Sequence, residues 1–531
     1  MKLILTTLLS VCLLPCAGAE EITAQKPNII VILADDLGYG DVQCYNPQRG
    51  KIPTPNIDKL AAQGMRFTDG HSSSGVCSPS RYTLLTGRYH WRTRLQAGIV
   101  GQYEEPLIAA DRLTIAGLAK QQGYRTAAIG KWHLGWEWPM LPEQKKLIRV
   151  GKKAASDDEA VAENSKLTPT AEHLAAWREV FSKPITGGPA TRGFDTYFGT
   201  DVPNWPPYCF IENDHTVGIP SAFLPATDFK NNRASIPGPA LADWKLEGIL
   251  PSLSDRATAF VTEAAKSPEP FLLYLPLTTP HTPLAPTEEW KGKSGLNTYA
   301  DFVMQTDSVV GRVLDALEKS GEADKTLVVF TSDNGCAPYI GAADLEKQGH
   351  FPSGPLRGYK SDAWEGGHRV PFIVRWPGVV KAGSVCSQLV LQADLIATFA
   401  DVFQTKLPET AGVDSFSFLA QLKGSDKPVR ESSVNCASSG LPSVRQGPWK
   451  LIAAAGSGGW SKGKEDTPMQ LYNLETDLGE TKNLYAQEPE RVEKMRTLLE
   501  KIISDGRSTP GPRQKNDQKV RRFGNSEKSA P

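Results

Sequence analysis

The first strong pattern in the chain is a continuous apolar run, Asn28-Ile29-Ile30-Val31-Ile32-Leu33. With no polar alternation, it reads as a strand buried on both faces, as at the centre of a parallel sheet. Thr54-Pro55 then opens a helix running through Leu60 and Met65, with proline at the first helical position. Strand-like stretches return at Tyr124 to Ile129, Phe271 to Leu277, Thr326 to Thr331 and Val370 to Arg375. The spacing of Phe302, Val303, Val309, Val310, Val313, Leu314 and Leu317 predicts a helix over Tyr299 to Lys319. This alternation predicts an α/β fold, a sheet covered by helices on both faces.

Two stretches break the rhythm. Pro139 to Pro189 carries the basic cluster Lys145, Lys146, Arg149, Lys152 and Lys153, then an acidic patch from Asp157 to Glu159. It reads as an insertion with a helix around Ala171 to Phe181, either a solvated excursion or a lid over a substrate. Beyond Leu422 to Pro428 come short strands at Ser443 to Arg445, Trp449 to Ala453 and Gln470 to Leu474. A helix from Pro489 to Ile503 follows, with Val492, Met495, Leu499 and Ile502 on one face. The expected organisation is an α/β domain over 20–424 with its insertion at about 139–189, and a smaller β-plus-helix subdomain over 425–505. A polar tail over 506–531 is expected to be mobile.

A chain of 531 residues, 40% hydrophobic, can bury a large core. Lys+Arg and Asp+Glu are equal at 59 each, so no global field favours a polyanion, and no nucleic-acid partner is expected. Residues 1–19 read as a secretory signal: Lys2, the apolar run Leu3 to Leu14, and Ala17-Gly18-Ala19 before Glu20. That run is too short to span a bilayer, so a secreted or periplasmic protein with no integral membrane segment is expected. Cleavage leaves Cys44, Cys77, Cys209, Cys336, Cys386 and Cys436. If Cys77 has chemical work, five remain; one or two disulfides stay open, but not a full framework.

Candidate chemistry sits where strands end. Asp35-Asp36 follows the first strand, and Asp333-Asn334 follows the strand from Thr326. Ligands bind at the carboxyl ends of strands in open α/β sheets. Adjacent carboxylates repel unless a cation neutralises them, and oxygen-only ligands suit Ca²⁺ or Mg²⁺. One such pair alone can be an exposed turn; two at one edge point to a metal site. Gly130-Lys131-Trp132-His133 follows the strand at Tyr124 to Ile129, and Pro280-His281 follows Phe271 to Leu277. Arg357 and Lys360 precede Trp364 to Pro371. Singly, each is weak. Together they read as an anion site with acid–base groups in reach.

Cys77-Ser78-Pro79-Ser80-Arg81, continuing to Thr86-Gly87-Arg88, closely resembles the signature of the formylglycine-dependent (type I) sulfatases. Asp35-Asp36, Cys77 to Arg88, Gly130 to Gly135, Pro280-His281, Asp333-Asn334 and Lys360 appear in that family's order. The resemblance runs from about Pro27 to Asn483. It implies an alkaline-phosphatase-like large mixed sheet flanked by helices, with a C-terminal antiparallel sheet and helix. It implies that a maturation enzyme oxidises Cys77 to formylglycine (3-oxoalanine). Asp35, Asp36, Asp333 and Asn334, with the modified Cys77, would hold a divalent ion, Ca²⁺ ahead of Mg²⁺. Arg81 would steady the hydrated aldehyde, Lys131 and Lys360 would bind sulfate oxygens, and His133 and His281 would move protons. The helix expected after Pro79 would add its amide-rich N-terminus. One hydroxyl of the hydrate would attack sulfur, and deprotonation of the other would expel sulfate.

The contact many relatives place after Gly-Phe-Asp has two candidates here, Asp201 and Asn204. Trp205, with Trp136 and Trp138, either lines a sugar subsite or packs the core. Arg357 is a further candidate for substrate binding. The stretches Gly193 to Tyr208 and Trp364 to Pro371 are most similar to the branch of N-acetylgalactosamine-6-sulfatase-type enzymes, so a sulfated carbohydrate of galactose or N-acetylgalactosamine type is expected, or an aryl sulfate. A phosphonate monoester or phosphodiester hydrolase with the same site is the rival, and a non-catalytic glycan-binding protein a second. Oligomeric state is not legible.

Overall fold

A computed structural model describes residues 26–151, 164, 166–229 and 234–521. The signal segment 1–19, Lys152, Lys153, the patch from Asp157 to Glu159 and residues 522–531 lie outside these.

Strand Asn28–Ala34 is the axis of the molecule, and all seven of its residues are buried. It pairs in parallel with Phe271–Pro276 on one side and Thr326–Ser332 on the other, with Ile30 opposite Leu273 and Val328. Arg125–Lys131 and Thr196–Thr200 extend the parallel set. Phe372–Arg375 and Ile211–Glu212 join antiparallel, so the sheet is mixed, with ten strands among the described residues.

Alternate residues of a strand face opposite layers. Ile29, Val31 and Leu33 accordingly join one apolar cluster with Tyr82, Trp177 and Phe399. Ile30, Ile32 and Ala34 join another with Leu253, Val303 and Leu317. Helices Ile249–Ala264 and Thr298–Lys319 supply the second layer; Cys77–Thr86, Ile115–Gln121 and Leu395–Val402 supply the first. The long helix starts at Asn297, whose side chain accepts from the Ala300 amide at 3.0 Å. Because the central strands run in parallel, the residues that follow them emerge at one edge.

Downstream, Ser432–Cys436, Pro442–Gln446, Trp449–Ile452 and Gln470–Asn473 form an antiparallel sheet in that order. Helix Pro489–Asp505 packs Val492, Met495 and Leu499 on Val434, Val444 and Leu471, in a cluster that also takes in Tyr89 and Trp91 from the large domain. The two units therefore share buried apolar surface.

Two expectations change. The described part of the insertion is packed into the large domain. Helix Ala171–Phe181 buries Trp177, Val180 and Phe181 in the main core, and the Trp177 indole donates to Leu147 O at 2.8 Å. The tail does not hang free over 506–521. Gly506 turns it back with φ 66°, and a Cβ there would stand 1.8 Å from Gln514 O. Asp517 then meets Arg88 at 2.9 Å, Asn516 meets Arg92 at 2.9 Å, and Val520 is buried with the C-terminal helix. Composition marked the tail as polar; Ser508, Asn516 and Asp517 find partners on the large domain that composition does not show. The six cysteines among the described residues are all free thiols.

Candidate active site

Four strand ends build the site. Asp35 and Asp36 leave strand Asn28–Ala34 through a left-handed residue, Asp36 at φ 65°. The turn is held from both sides. The Asp35 amide donates to Thr279 O at 2.9 Å, and the Asp36 amide to Asp333 Oδ1 at 3.1 Å. Helix Cys77–Thr86 begins at Cys77 itself, ahead of the start expected after Pro79. Pro79 falls in its first turn, where a missing N–H costs no helical bond. Arg81, four residues on, shares the face of Cys77.

Cys77 Sγ lies 3.6 Å from Asp35 Oδ1, 4.0 Å from Asp36 Oδ1 and 3.6 Å from Lys360 Nζ. Arg81 donates twice to Asp333 Oδ2, at 3.0 and 2.8 Å, and once to Lys131 O at 3.0 Å. Lys131 Nζ reaches Asp35 Oδ2 at 2.7 Å. Lys360 Nζ reaches both oxygens of Asp36, at 2.5 and 2.6 Å. Three buried carboxylates thus face three buried cations around one thiol.

The histidines differ in what they leave free. His133, at φ 54°, has Nε2 3.1 Å from Val100 O. A carbonyl only accepts, so Nε2 carries the proton and Nδ1 is the lone-pair nitrogen. That Nδ1 is buried without a partner. His281 Nδ1 donates to Thr282 O, and its Nε2 stands 3.7 Å from Asp36 Oδ2.

Electrostatics follow from burial set against these partners. Burial opposes ionisation of Asp35, yet Lys131, His281, Arg81 and Lys360 hold its carboxyl well below the usual range. Burial and the neighbouring Asp35 raise Asp333 to about 7. Burial works against a charged Lys360, but Asp36 outweighs it and keeps the ammonium well above its ordinary value. Burial lowers His281 to about 4 and puts His133 well below its usual value, so both rings are neutral. Burial also pushes the Cys77 thiol up to about 12, against Lys131 and Lys360. A thiol so protonated is a weak nucleophile.

The donor set suits a hard divalent ion. Asn334 Nδ2 donates to Asp36 Oδ1 and Gly335 O, leaving Oδ1 buried and unpaired. A free amide oxygen near these carboxylates could serve as an oxygen ligand to such an ion. Asp35, Asp36, Cys77 and His281 bring their ligand atoms within 4.8 Å of one another. Asp333 stands outside that group, its two oxygens taken by Arg81 and the Asp36 amide. Sequence reasoning gave Asp333 the metal and Arg81 the aldehyde; it missed that the two residues bind each other.

The tentative residues part ways. Asp201 lies behind the site, where its Oδ1 accepts from the His133 amide at 3.2 Å and the Trp136 indole at 3.1 Å; burial raises it to about 6. Asn204 donates to Ala234 O and keeps Oδ1 buried and unpaired. Trp205 bonds Ala234 O at 2.9 Å and sets its ring edge-on to His133, 5.6 Å between centroids. Trp136, Trp138 and Trp205 are only 1, 9 and 7% exposed, so they pack rather than present a sugar surface. Arg357 is turned away. It donates to Glu480 O at 2.7 Å and Tyr472 Oη at 3.1 Å and lies 3.8 Å over the Trp364 ring, joining the two domains. Gly358 at φ 80° reverses the chain between Arg357 and Lys360.

Residues 27–405 match the sulfatase family model. N-acetylgalactosamine-6-O-sulfatase of Bacteroides thetaiotaomicron is 32% identical over 520 residues, covering 90% of this chain and 93% of that protein. Human arylsulfatase A is 29% identical over 533 residues, covering 94% and 93%. A solved sulfatase structure from work on glycosaminoglycan metabolism by Bacteroides thetaiotaomicron superposes with a TM-score of 0.76 at 32% identity, covering 90% of this chain and 99% of that one. The chain belongs to the sulfatase family and is a sulfuric ester hydrolase.

Proposed function

We propose that the protein removes sulfate from a sulfated carbohydrate, using a formylglycine made from Cys77 by a maturation enzyme. One observation carries the reading. Cys77 stands against two strand-end carboxylates and Lys360, in the buried edge that also holds the unpaired Asn334 oxygen. Its thiol, raised to about 12, is unfit to attack as it is, so a replacement nucleophile at that carbon is consistent with the surroundings.

Asp35, Asp36, Asn334 and the modified Cys77 are the proposed ligands of a divalent ion, Ca²⁺ rather than Mg²⁺, with Asp333 joining them by sharing an oxygen already bonded to Arg81 or to the Asp36 amide. When bound, ion and aldehyde hydrate would supply positive charge and a paired-hydroxyl nucleophile. The chain's residues do the rest. Lys131 and Lys360 hold sulfuryl oxygens and offset their developing charge. Arg81, fixed by Asp333 and Lys131 O, keeps the helix face of Cys77 aligned. His133 Nδ1, neutral and unpaired, accepts the proton whose loss releases sulfate. His281, with the Lys360 ammonium holding positive charge nearby, serves the leaving alcohol oxygen.

The family relative that acts on N-acetylgalactosamine 6-sulfate supports a galactose- or N-acetylgalactosamine-type substrate. Residues 1–19 support export, which is proposed with it. The test is a panel of sulfated mono- and oligosaccharides, p-nitrophenyl sulfate and a phenyl phosphonate ester, with mass spectrometry of the Cys77 peptide from active protein. Turnover of sulfated sugars and an aldehyde mass at Cys77 are expected. Faster turnover of the phosphonate than of any sulfate, or active protein with an intact thiol, would overturn the reading.

A further inference from the structure

Tyr339 and Trp460 are 45% and 46% exposed and face each other, with ring centroids 5.8 Å apart and planes at 43°. A single exposed aromatic needs no explanation. This pair does, because one ring comes from each domain and both stand on segments bonded to the active site. Tyr339 lies in the turn Pro338–Ile340, just past Asn334, and Ile340 anchors that turn in the core. Cys336 O accepts from the Lys360 amide at 2.8 Å, which joins the Tyr339 segment to the Lys360 loop.

The Trp460 loop is bonded to the same residues. The Ser461 amide donates to Asp362 Oδ1 at 3.1 Å, and the Ala363 amide to Ser457 O at 2.8 Å. A Cβ on Gly459 would stand 2.4 Å from Ser361 O and Asp362 Oδ1, so the loop passes flush against the chain that follows Lys360. The turn that carries Tyr339 is thus tied to the Lys360 loop while its ring meets solvent.

We propose that Tyr339 and Trp460 form a stacking platform for a pyranose ring of the sulfated carbohydrate at the mouth of the active site. The C–H face of a pyranose is apolar and packs on aromatic rings, while its hydroxyls stay in water. Sulfate is gripped by charge near Cys77; the sugar is selected by this pair, to which the C-terminal subdomain contributes Trp460. The platform takes the role that Trp136, Trp138 and Trp205 are too buried to fill. The inference rests on the carbohydrate-sulfatase reading above.

Two measurements test it separately from that reading. In the first, Trp460→Ala and Tyr339→Ala are compared with the parent on a 6-O-sulfated N-acetylgalactosamine-containing tetrasaccharide and on p-nitrophenyl sulfate. The loss of kcat/KM on the tetrasaccharide is expected to exceed that on the aryl sulfate by about tenfold or more, mostly through KM. Trp460→Phe is expected to recover most of it. Equal losses on both substrates, or no loss, would overturn the platform. In the second, calorimetry follows the same tetrasaccharide binding to Cys77→Ala, with and without Trp460→Ala, so no turnover is required. Weaker binding in the double variant supports the platform even if the parent hydrolyses no sulfate, an outcome that would end the functional reading alone. Unchanged binding, or no binding to Cys77→Ala, would overturn the platform.

Discussion

At the carboxyl edge of the large sheet, Asp35, Asp36 and Asp333 face Lys131, Lys360 and Arg81, with His133 and His281 alongside. At the seam between the domains, Asp69, Glu365 and Glu480 face Arg369, Arg445 and Lys450, with His71 and His368 alongside. Both clusters are buried, and each brings several metal-ligating side chains together. They differ in which groups are left over: in the seam it is Arg445 Nη1, with Glu480 Oε1 held by its ion pair with Lys450. In the seam all four imidazole nitrogens have partners: His71 on Asp69 at 2.8 Å, the two Nδ1 atoms 3.0 Å apart, and His368 Nε2 near Ala363 O and Lys450. At the sheet edge His133 Nδ1 and Asn334 Oδ1 have none, and a thiol sits among the charges. Matched buried charge fixes how two units dock. A free ring nitrogen and a free amide oxygen beside a thiol and several charges are suited to taking a ligand.

The largest separation of the two clusters should come from Cys77→Ser. A serine offers one hydroxyl, so sulfate transferred to it has no internal route off. Multiple turnover on p-nitrophenyl sulfate should fall by about a thousandfold or more, with the denaturation midpoint nearly kept. Full steady-state activity in this variant would remove the chemical distinction. Chelation comes next. Stripping divalent ions and dialysing should cut turnover by about a hundredfold, restored by Ca²⁺, with little change in urea stability. Indifference to chelation would mean that Asn334 Oδ1 serves no ion.

Lys450→Met attacks the seam instead. It leaves Glu365 and Glu480 facing each other with one cation fewer. Removing one partner of a buried pair costs about 3–5 kcal/mol, read as a lowered urea midpoint. Turnover per folded molecule should hold. A collapse of turnover without a stability loss would reverse the roles assigned to the two clusters. The smallest effect is expected from Asp517→Asn. The aspartate is 42% exposed, so its pair with Arg88 should contribute about 1 kcal/mol or less, shrinking as salt rises.

The sheet edge was legible because the chemistry-bearing residues follow apolar runs that can only be central strands. Asp35, Lys131, His281 and Asp333 each trail such a run, and parallel pairing delivers all four to one edge. Arg357 was misplaced because proximity in sequence to Lys360 says nothing about direction once Gly358 reverses the chain. The insertion was half read. Its helix matched the residues from Ala171 to Phe181, but the burial of Trp177 depends on a partner, Leu147, that no periodicity names. The Tyr339–Trp460 pair left no pattern, since two exposed rings from different domains share neither a helix face nor a strand register. The docked tail was hidden for the same reason: its hydrogen-bond complement lies hundreds of residues upstream.

That distance sets an order of events in biogenesis. Arg88 and Arg92 sit just beyond the helix that opens with Cys77, and Arg88 waits 429 residues for Asp517. At about 5–20 residues per second, a ribosome delivers that partner roughly 20–90 s later. Throughout this interval the clasp behind the signature segment is unfastened, leaving the nascent chain a long period for the proposed oxidation of Cys77 before the molecule shuts.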